Sequence, residues 1–376
     1  MKTFHCDKCG QQIFFENTLC FNCGSTLGYQ PEQRVVNSFE MSDDGNWRSL
    51  NPADAGSLYK KCSNYVNQKV CNWMLDVHDP NELCASCQLT LVIPSLASDK
   101  NHLLWQRLES AKRRLLYSLW ALHLRPASKQ DDEALGMAFQ FLEDGVGGDE
   151  VMTGHDDGLI TINIAEADPA QRERTRELMH ERYRTLLGHF RHESGHYYFD
   201  RLLANTGWMD GYRALFGDER QDYDESLKRH YENGAPQDWE QRFISSYASS
   251  HPWEDWAETW AHYLHMVDTL ETAHACGLSL KPHKAAEPAM VISAPPLKID
   301  SFEEIISDWL ALTYVLNSLN RSVGMPDSYP FKLSTPVLDK LHFVHRLVLA
   351  QDPDKEREDV AQVPQIPQVL QISQAP

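Results

Sequence analysis

The sequence predicts an α+β chain in two parts: a short N-terminal region organised by cysteines, then a mostly helical domain with a small sheet. Three observations carry this expectation. Eight of the nine cysteines lie within the first 87 residues, in two clusters. Helix-period patterns dominate from residue 102 onward, with one alternating stretch at residues 159–165. One helical pattern contains His192-Glu193-Ser194-Gly195-His196.

At 376 residues the chain exceeds one typical domain. A hydrophobic content of 42%, with 10 Trp, 14 Tyr and 14 Phe, is enough for a core. The net charge of −19 argues against broad binding to nucleic acid or to an anionic membrane. The opening MKTFHCDKCG has no apolar h-region, and no run of about 18 apolar residues follows. A cytoplasmic location without a membrane span is therefore expected. Cysteines in that setting read as metal ligands rather than disulfides.

Residues 1–100 are expected to form a zinc-ribbon region with two four-cysteine sites. Cys6-x2-Cys9-Gly10 and Cys20-x2-Cys23-Gly24 repeat as CDKCG and CFNCG. Each C-x-x-C turn aims two thiolates at one ion, and the following Gly relieves crowding where backbone turns toward sulfur. Cys62, Cys71, Cys84 and Cys87 give the second set; only its latter pair has this spacing, and interleaved pairing of the two sets stays open. Residues 41–54, polar and turn-rich, separate the sites. Phe14, Phe15, Tyr65 and Trp73 are expected to pack around the metals. Cys276 reads as a small buried apolar residue.

Residues 101–125 follow as a connecting helix. Leu104, Leu108, Ala111, Leu115, Leu119 and Leu122 recur at three- and four-residue steps, and Pro126 ends the pattern. Lys112, Arg113 and Arg114 read as a solvated face, with a nucleic-acid contact as the sharper alternative.

The second domain spans residues 126–352. A short helix is expected around residues 133–142, then the strand at 159–165, either inside a sheet or at its edge. One long helix should run from Pro169 to about Leu203, stopped by Asn205 and Gly207. Residues 217–236 read as a loop, 239–248 and 253–267 as helices, and 274–298 as a loop. Ser301-x2-Glu304 is a capping box, and Thr335-Pro336 opens a last helix. Residues 353–376, rich in Pro and Gln, should be a disordered tail.

On a helix, His192 and His196 share a face one turn apart. Two such imidazoles can grip one Zn²⁺, with Glu193 placed to take a proton from water. The extended form H-E-x-x-H-x-x-G-x-x-H needs Gly at 199 and His at 202. Phe199 and Leu202 stand there, so the third ligand comes from elsewhere. Glu254 and Glu258, one turn apart on a Trp-rich helix, are the candidates: one for the metal, the other to hydrogen-bond a ligand imidazole.

These residues carry a resemblance. FHCDKCGQQIFFEN, CNWML, LCASC, AKRRLLYSLWAL, GLITINIAEAD, FRHESGHYYFDRL, HPWEDWAETWAHYL and LNRSVGMPDSYPF make the chain, to about Ala350, similar to a bacterial family of zinc metallopeptidases with an N-terminal zinc-ribbon region. The resemblance implies a zincin-like metallopeptidase domain. The site pattern also resembles the gluzincin peptidases, anthrax lethal factor and thermolysin among them. A Tyr seven residues before the ligand Glu falls on Tyr247, and a supporting acid four residues after it falls on Glu258. The resemblance thus selects Glu254 as ligand beside His192 and His196, with Tyr247 as an oxyanion donor and Glu193 as the base. Peptide or protein substrates are implied, with the ribbons as a surface for a protein partner. The competing expectation is a binding module, for protein or nucleic acid, on an inactive zincin scaffold.

Overall fold

The computed structural model describes residues 1–145, 151–179, 181, 183–284, 287–292, 294–299 and 301–353. The expected tail lies, from residue 354 on, outside them. Contacts divide the chain into two units. Of the described residues, one holds those of Met1–Glu193 and His265–Tyr329; the other holds Ser194–Leu264 and those from Pro330 to residue 353.

The first unit begins with a hairpin, β1 (Phe4–His5) and β2 (Gln12–Ile13). An antiparallel meander follows: β3 (Thr26–Gln30), β4 (Val35–Met41), β5 (Trp47–Ser49), β6 (Leu58–Lys61) and β7 (Met74–Asp76). The stretch at 41–54 is therefore part of this sheet, turning tightly at residues 42–46, rather than a spacer between sites. The short helix α1 (Ala85–Gln88) carries Cys87, and β8 (Thr90–Val92) follows it.

Helix α2 (Asp99–Ala121) is the core of this unit rather than a connector. Its six expected apolar positions are all buried. Tyr117 packs edge-on to Phe15, with ring centroids 5.6 Å apart, and Trp120 lies against Trp73 at 5.2 Å. Phe15, Tyr65 and Trp73 are buried as expected, while Phe14 is exposed. The basic trio is not a solvated face. Lys112 is fully buried, 2.9 Å from the equally buried Glu109, and Arg113 is buried with its guanidinium on the Val70 carbonyl. Arg114 pairs with Glu16. A buried cation persists only where partners repay its desolvation, which these contacts do. That leaves neither residue available to nucleic acid.

A four-stranded sheet has the order β10-β11-β9-β8, from β9 (Ala138–Leu142), β10 (Gly154–Asp156) and β11 (Leu159–Asn163). Residues 138–142 are a strand where a helix was expected. Ala138, Phe139 and Phe141 are fully buried, and burial of two aromatics on a sheet outweighs a weak helical pattern. Strand β11 pairs parallel to β9 and antiparallel to β10, so it is internal and the edge reading fails for it.

The expected helix from Pro169 to Leu203 is two helices. Helix α3 (Pro169–Leu178) ends, and α4 (Leu186–Tyr198) starts afresh. The Thr185 hydroxyl accepts from Gly188 N at 3.0 Å at the start of α4, and the preceding Arg184 is tied to Glu166 and Glu181. Phe190 of α4 packs on Phe139 and Phe141, at 5.7 and 6.2 Å, so the sheet sets the helix's position. A π-turn at Phe199–Leu203 follows, and Asn205 (φ 61°) closes it.

Helix α5 (Met209–Phe216) precedes α6 (Tyr223–Asn233), in the stretch expected to be a loop. The missed signal is Asp222-x2-Glu225: the Asp222 carboxylate accepts from Glu225 N at 2.9 Å. Conversely, 239–248 is no helix but ends in single turns, Trp239–Gln241 and Tyr247–Ser249. Ser245 and Ser249 hydroxyls bond locally there and compete with helical pairing. Helix α7 (Pro252–Ala275) is longer than expected, and Cys276 just beyond it is exposed, not buried. The 274–298 stretch contains a small hairpin of β12 (Ser279–Leu280) and β13 (Met290–Val291). Helices α8 (Phe302–Ser322) and α9 (Thr335–Leu349) follow; the Ser301 hydroxyl caps α8 by accepting from Glu304 N. Among the described residues, no helix is long and apolar enough to cross a membrane.

Candidate metal centre

Two cysteine groups form without interleaving: Cys6, Cys9, Cys20 and Cys23 in one, Cys62, Cys71, Cys84 and Cys87 in the other. None of them is in a disulfide. The first group is built by two copies of one turn. Gly10 N donates to Cys6 O and Gly24 N to Cys20 O, each at 2.8 Å, with the glycines at φ 72° and 73°. A positive φ is the reason glycine follows each C-x-x-C. Sulfur–sulfur distances of 3.6 and 3.7 Å here, and 3.7 Å in the second group, suit zinc. A tetrahedron with Zn–S near 2.3 Å has edges of about 3.8 Å.

The groups differ in burial. All four thiols of the second are buried, whereas Cys9 of the first is exposed. Hydrogen bonds from Cys71, Cys84 and Cys87 hold the Cys62 thiol far below its ordinary range, while burial pushes Cys71 and Cys84 up.

The third group is His192, His196 and Glu254, whose ligand atoms lie within 4.8 Å of one another. Helices α4 and α7 supply it, and their crossing is built from small residues and indole donors. Trp256 Nε1 donates to the Gly195 carbonyl at 2.8 Å, and Trp260 Nε1 to the Ser194 hydroxyl at 3.1 Å. A Cβ on Gly195 would sit 2.9 Å from Ala257 Cα. The two central residues of the H-E-x-x-H motif thus let the helices approach closely. Gly195→Ala is expected to cost about 1–3 kcal/mol by overpacking and to weaken metal binding at His196. Denaturant melts and a zinc titration of the variant check this.

At the crossing, His196 Nε2 lies 3.5 Å from Glu254 Oε1. Ligands about 2.0–2.1 Å from a tetrahedral zinc stand roughly 3.3–3.4 Å apart, so this pair fits the ion. Glu193, His196 and Glu254 are buried and His192 is half-buried, a group with one side toward solvent. Trp253 lies over His196, with centroids 3.8 Å apart. Of the two glutamates, Glu254 joins the histidines, while Glu258 accepts from the Ser245 hydroxyl at 2.6 Å. Tyr247 opens the turn before α7, half-buried, its ring 6.1 Å from that of His230. Sequence reasoning missed Tyr223, whose hydroxyl donates to Glu254 Oε1 at 2.6 Å. The Asp222 capping signal marks its helix, but nothing in the spacing points it at Glu254.

Behind the site, Asp255 and Lys340 are buried together at 2.6 Å. Burial pushes the Asp255 carboxyl up to about 7, against the opposing pull of Lys340. Arg191, beside His192, pairs with Asp268 at 2.7 Å and anchors α4 within the first unit.

Comparison with known proteins agrees with this geometry. A family model described as "Putative zinc-binding metallo-peptidase" matches residues 101–347, and a zinc-ribbon domain model matches residues 3–98. Proteins from Mycobacterium bovis and Mycobacterium tuberculosis, each bearing the name uncharacterized protein, are 41% identical over 357 residues, covering 95% of this chain and 98% of theirs. No solved structure matches. The cysteine tetrads and the crossing of α4 and α7 therefore sit in a chain that belongs to the zinc-binding metallopeptidase family, with a zinc-ribbon domain at its N-terminal end.

Proposed function

We propose that the chain is a zinc-dependent peptidase that hydrolyses peptide bonds at the His192–His196–Glu254 group. The observation that carries this is the convergence of those three side chains with Glu193 in one motif turn, on two helices locked by Trp256 and Trp260. When bound, zinc supplies Lewis acidity that polarises a carbonyl and acidifies water. Glu193, one residue from His192, is the base: it takes the proton of the attacking water and returns it to the leaving nitrogen. Tyr247 is assigned the donor role toward the developing oxyanion, and Glu258 the support of a ligand imidazole. The two cysteine sites each take one structural zinc, which makes three ions per chain with the catalytic one.

Substrate peptides would pair with a sheet edge, and with β11 internal the antiparallel edge is β10. The ribbons offer Phe14 and Phe21, both exposed, to a protein partner, and the acidic chain works in the cytoplasm away from membranes and nucleic acid. The test is a comparison of new N-termini generated in a cell extract by the wild type and by Glu193→Gln. Cleavages made by the wild type alone support a peptidase. Identical patterns from both would leave the binding-module reading in its place.

A further inference from the structure

Helix α6 brings to the metal centre a side chain that the sequence reading passed over. Tyr223 is its first residue, next to the capping Asp222. Its ring packs nearly perpendicular to His251 and Trp253, with centroids 5.3 and 5.6 Å away. His251 is itself fixed from both sides. Its Nε2 lies 3.1 Å from the Gln221 carbonyl, and its Nδ1 accepts from Trp253 N at 3.1 Å. The phenol is thus held by its ring, and its hydroxyl reaches Glu254 Oε1 at 2.6 Å. That same oxygen faces His196 Nε2 at 3.5 Å. At 2.6 Å this is a short hydrogen bond from a phenol to a carboxylate oxygen.

We propose that Tyr223 is a positioning residue for the metal centre: its hydroxyl fixes the Glu254 carboxylate and draws charge from the oxygen turned toward His196. The proposal rests on Glu254 being a metal ligand. A glutamate has three side-chain torsions, and a buried carboxylate meant for an ion must be aimed before the ion arrives. Trp253 serves the same aromatic cluster, packing on Tyr223 on one side and lying over His196 on the other. The cluster therefore aims two ligands at once. The phenol adds a second effect: a carboxylate that accepts a short hydrogen bond donates less charge to the metal, so the visible spectrum of cobalt substituted at the site registers its loss.

Tyr223→Phe keeps the ring and its packing and removes only the hydroxyl. In the full-length protein, chelator competition should show zinc at this site held roughly 10–100-fold more weakly, with the two cysteine-bound ions retained. Loaded with cobalt alone at the site, the variant should show a shifted visible spectrum. In a Glu254→Ala background the same change should have no further effect. Tyr231→Phe, at an exposed tyrosine of the same helix, should bind metal like the wild type. His196→Ala separates the two layers of the reading. If His196→Ala loses the third ion and Tyr223→Phe matches the wild type in affinity and spectrum, Tyr223 has no positioning role. If both variants keep the third ion at wild-type affinity, the metal centre itself is misassigned. A fall in melting temperature with unchanged metal affinity would reduce Tyr223 to a packing residue and also overturn the proposal.

Discussion

Glu193→Gln should abolish peptide hydrolysis, lowering kcat by about 10²–10⁴-fold, while leaving the zinc content of the protein unchanged. The two halves of that result follow from different features. The amide replaces the carboxylate at nearly equal volume, and His192, His196 and Glu254 form the metal group without Glu193, so binding persists. Glu193 is buried on the same turn of α4 as His192, where a carboxylate can accept a proton and an amide cannot. Measuring kcat on a peptide found by the extract comparison, beside metal analysis of the same samples, checks both. A variant that kept wild-type turnover would remove Glu193 from the chemistry. One that lost zinc together with activity would give it a structural role instead.

Cys84→Ser should unfold much of the first unit, and Cys9→Ser should not. Structural zinc in small cysteine-rich folds contributes about 10–16 kcal/mol, as much as the whole stability of an ordinary domain, about 5–15 kcal/mol. Cys84 lies in the fully buried tetrad, its backbone N donating to the Cys62 sulfur at 3.4 Å. The loop just before Cys71 is bonded to α2 at several points. The His102 ring meets the Gln68 carbonyl at 2.8 Å, Gln106 donates to the Lys69 carbonyl at 3.2 Å, and Arg113 donates to the Val70 carbonyl. Loss of this site therefore spreads into α2, which packs on Tyr29 of β3 through Tyr117 and on Thr90 of β8 through Glu109. Cys9 is exposed, unlike any thiol of the second tetrad, so its loss opens no buried site. Thermal melts with zinc analysis should show a lost or strongly lowered transition for Cys84→Ser. Cys9→Ser should lose one ion with a smaller change. Equal melting of the two variants would contradict the account.

The local chemistry was legible in the sequence wherever a motif carries its own geometry. The paired CDKCG and CFNCG turns specify glycine at positive φ, and the structure forms both. His192 and His196 need only a helix to face the same way, and α4 is one. Glu254 was selected over Glu258 by resemblance, and the structure groups Glu254 with the histidines. What escaped reading depends on partners distant in the chain. Lys112 looks like a surface lysine until Thr90, Phe139 and Phe141 are placed around it. Residues 138–142 look helical until Phe139 and Phe141 meet Phe190. The importance of Gly195 appears only when Ala257 crosses it, and that of Tyr223 only when α6 delivers it to Glu254. The break before α4 and the cap at Asp222 were readable in principle, since Thr185 and the Asp222–Glu225 pair are local signals.

Zinc bound per chain, in wild type and in His196→Ala, tests the central claim most directly. Both proteins are purified without added metal and analysed after extensive desalting. The account predicts about three zinc ions in the wild type and about two in the variant, with both cysteine sites still filled. Equal zinc content in the two proteins would contradict it, because α4 and α7 would then hold no metal through His196.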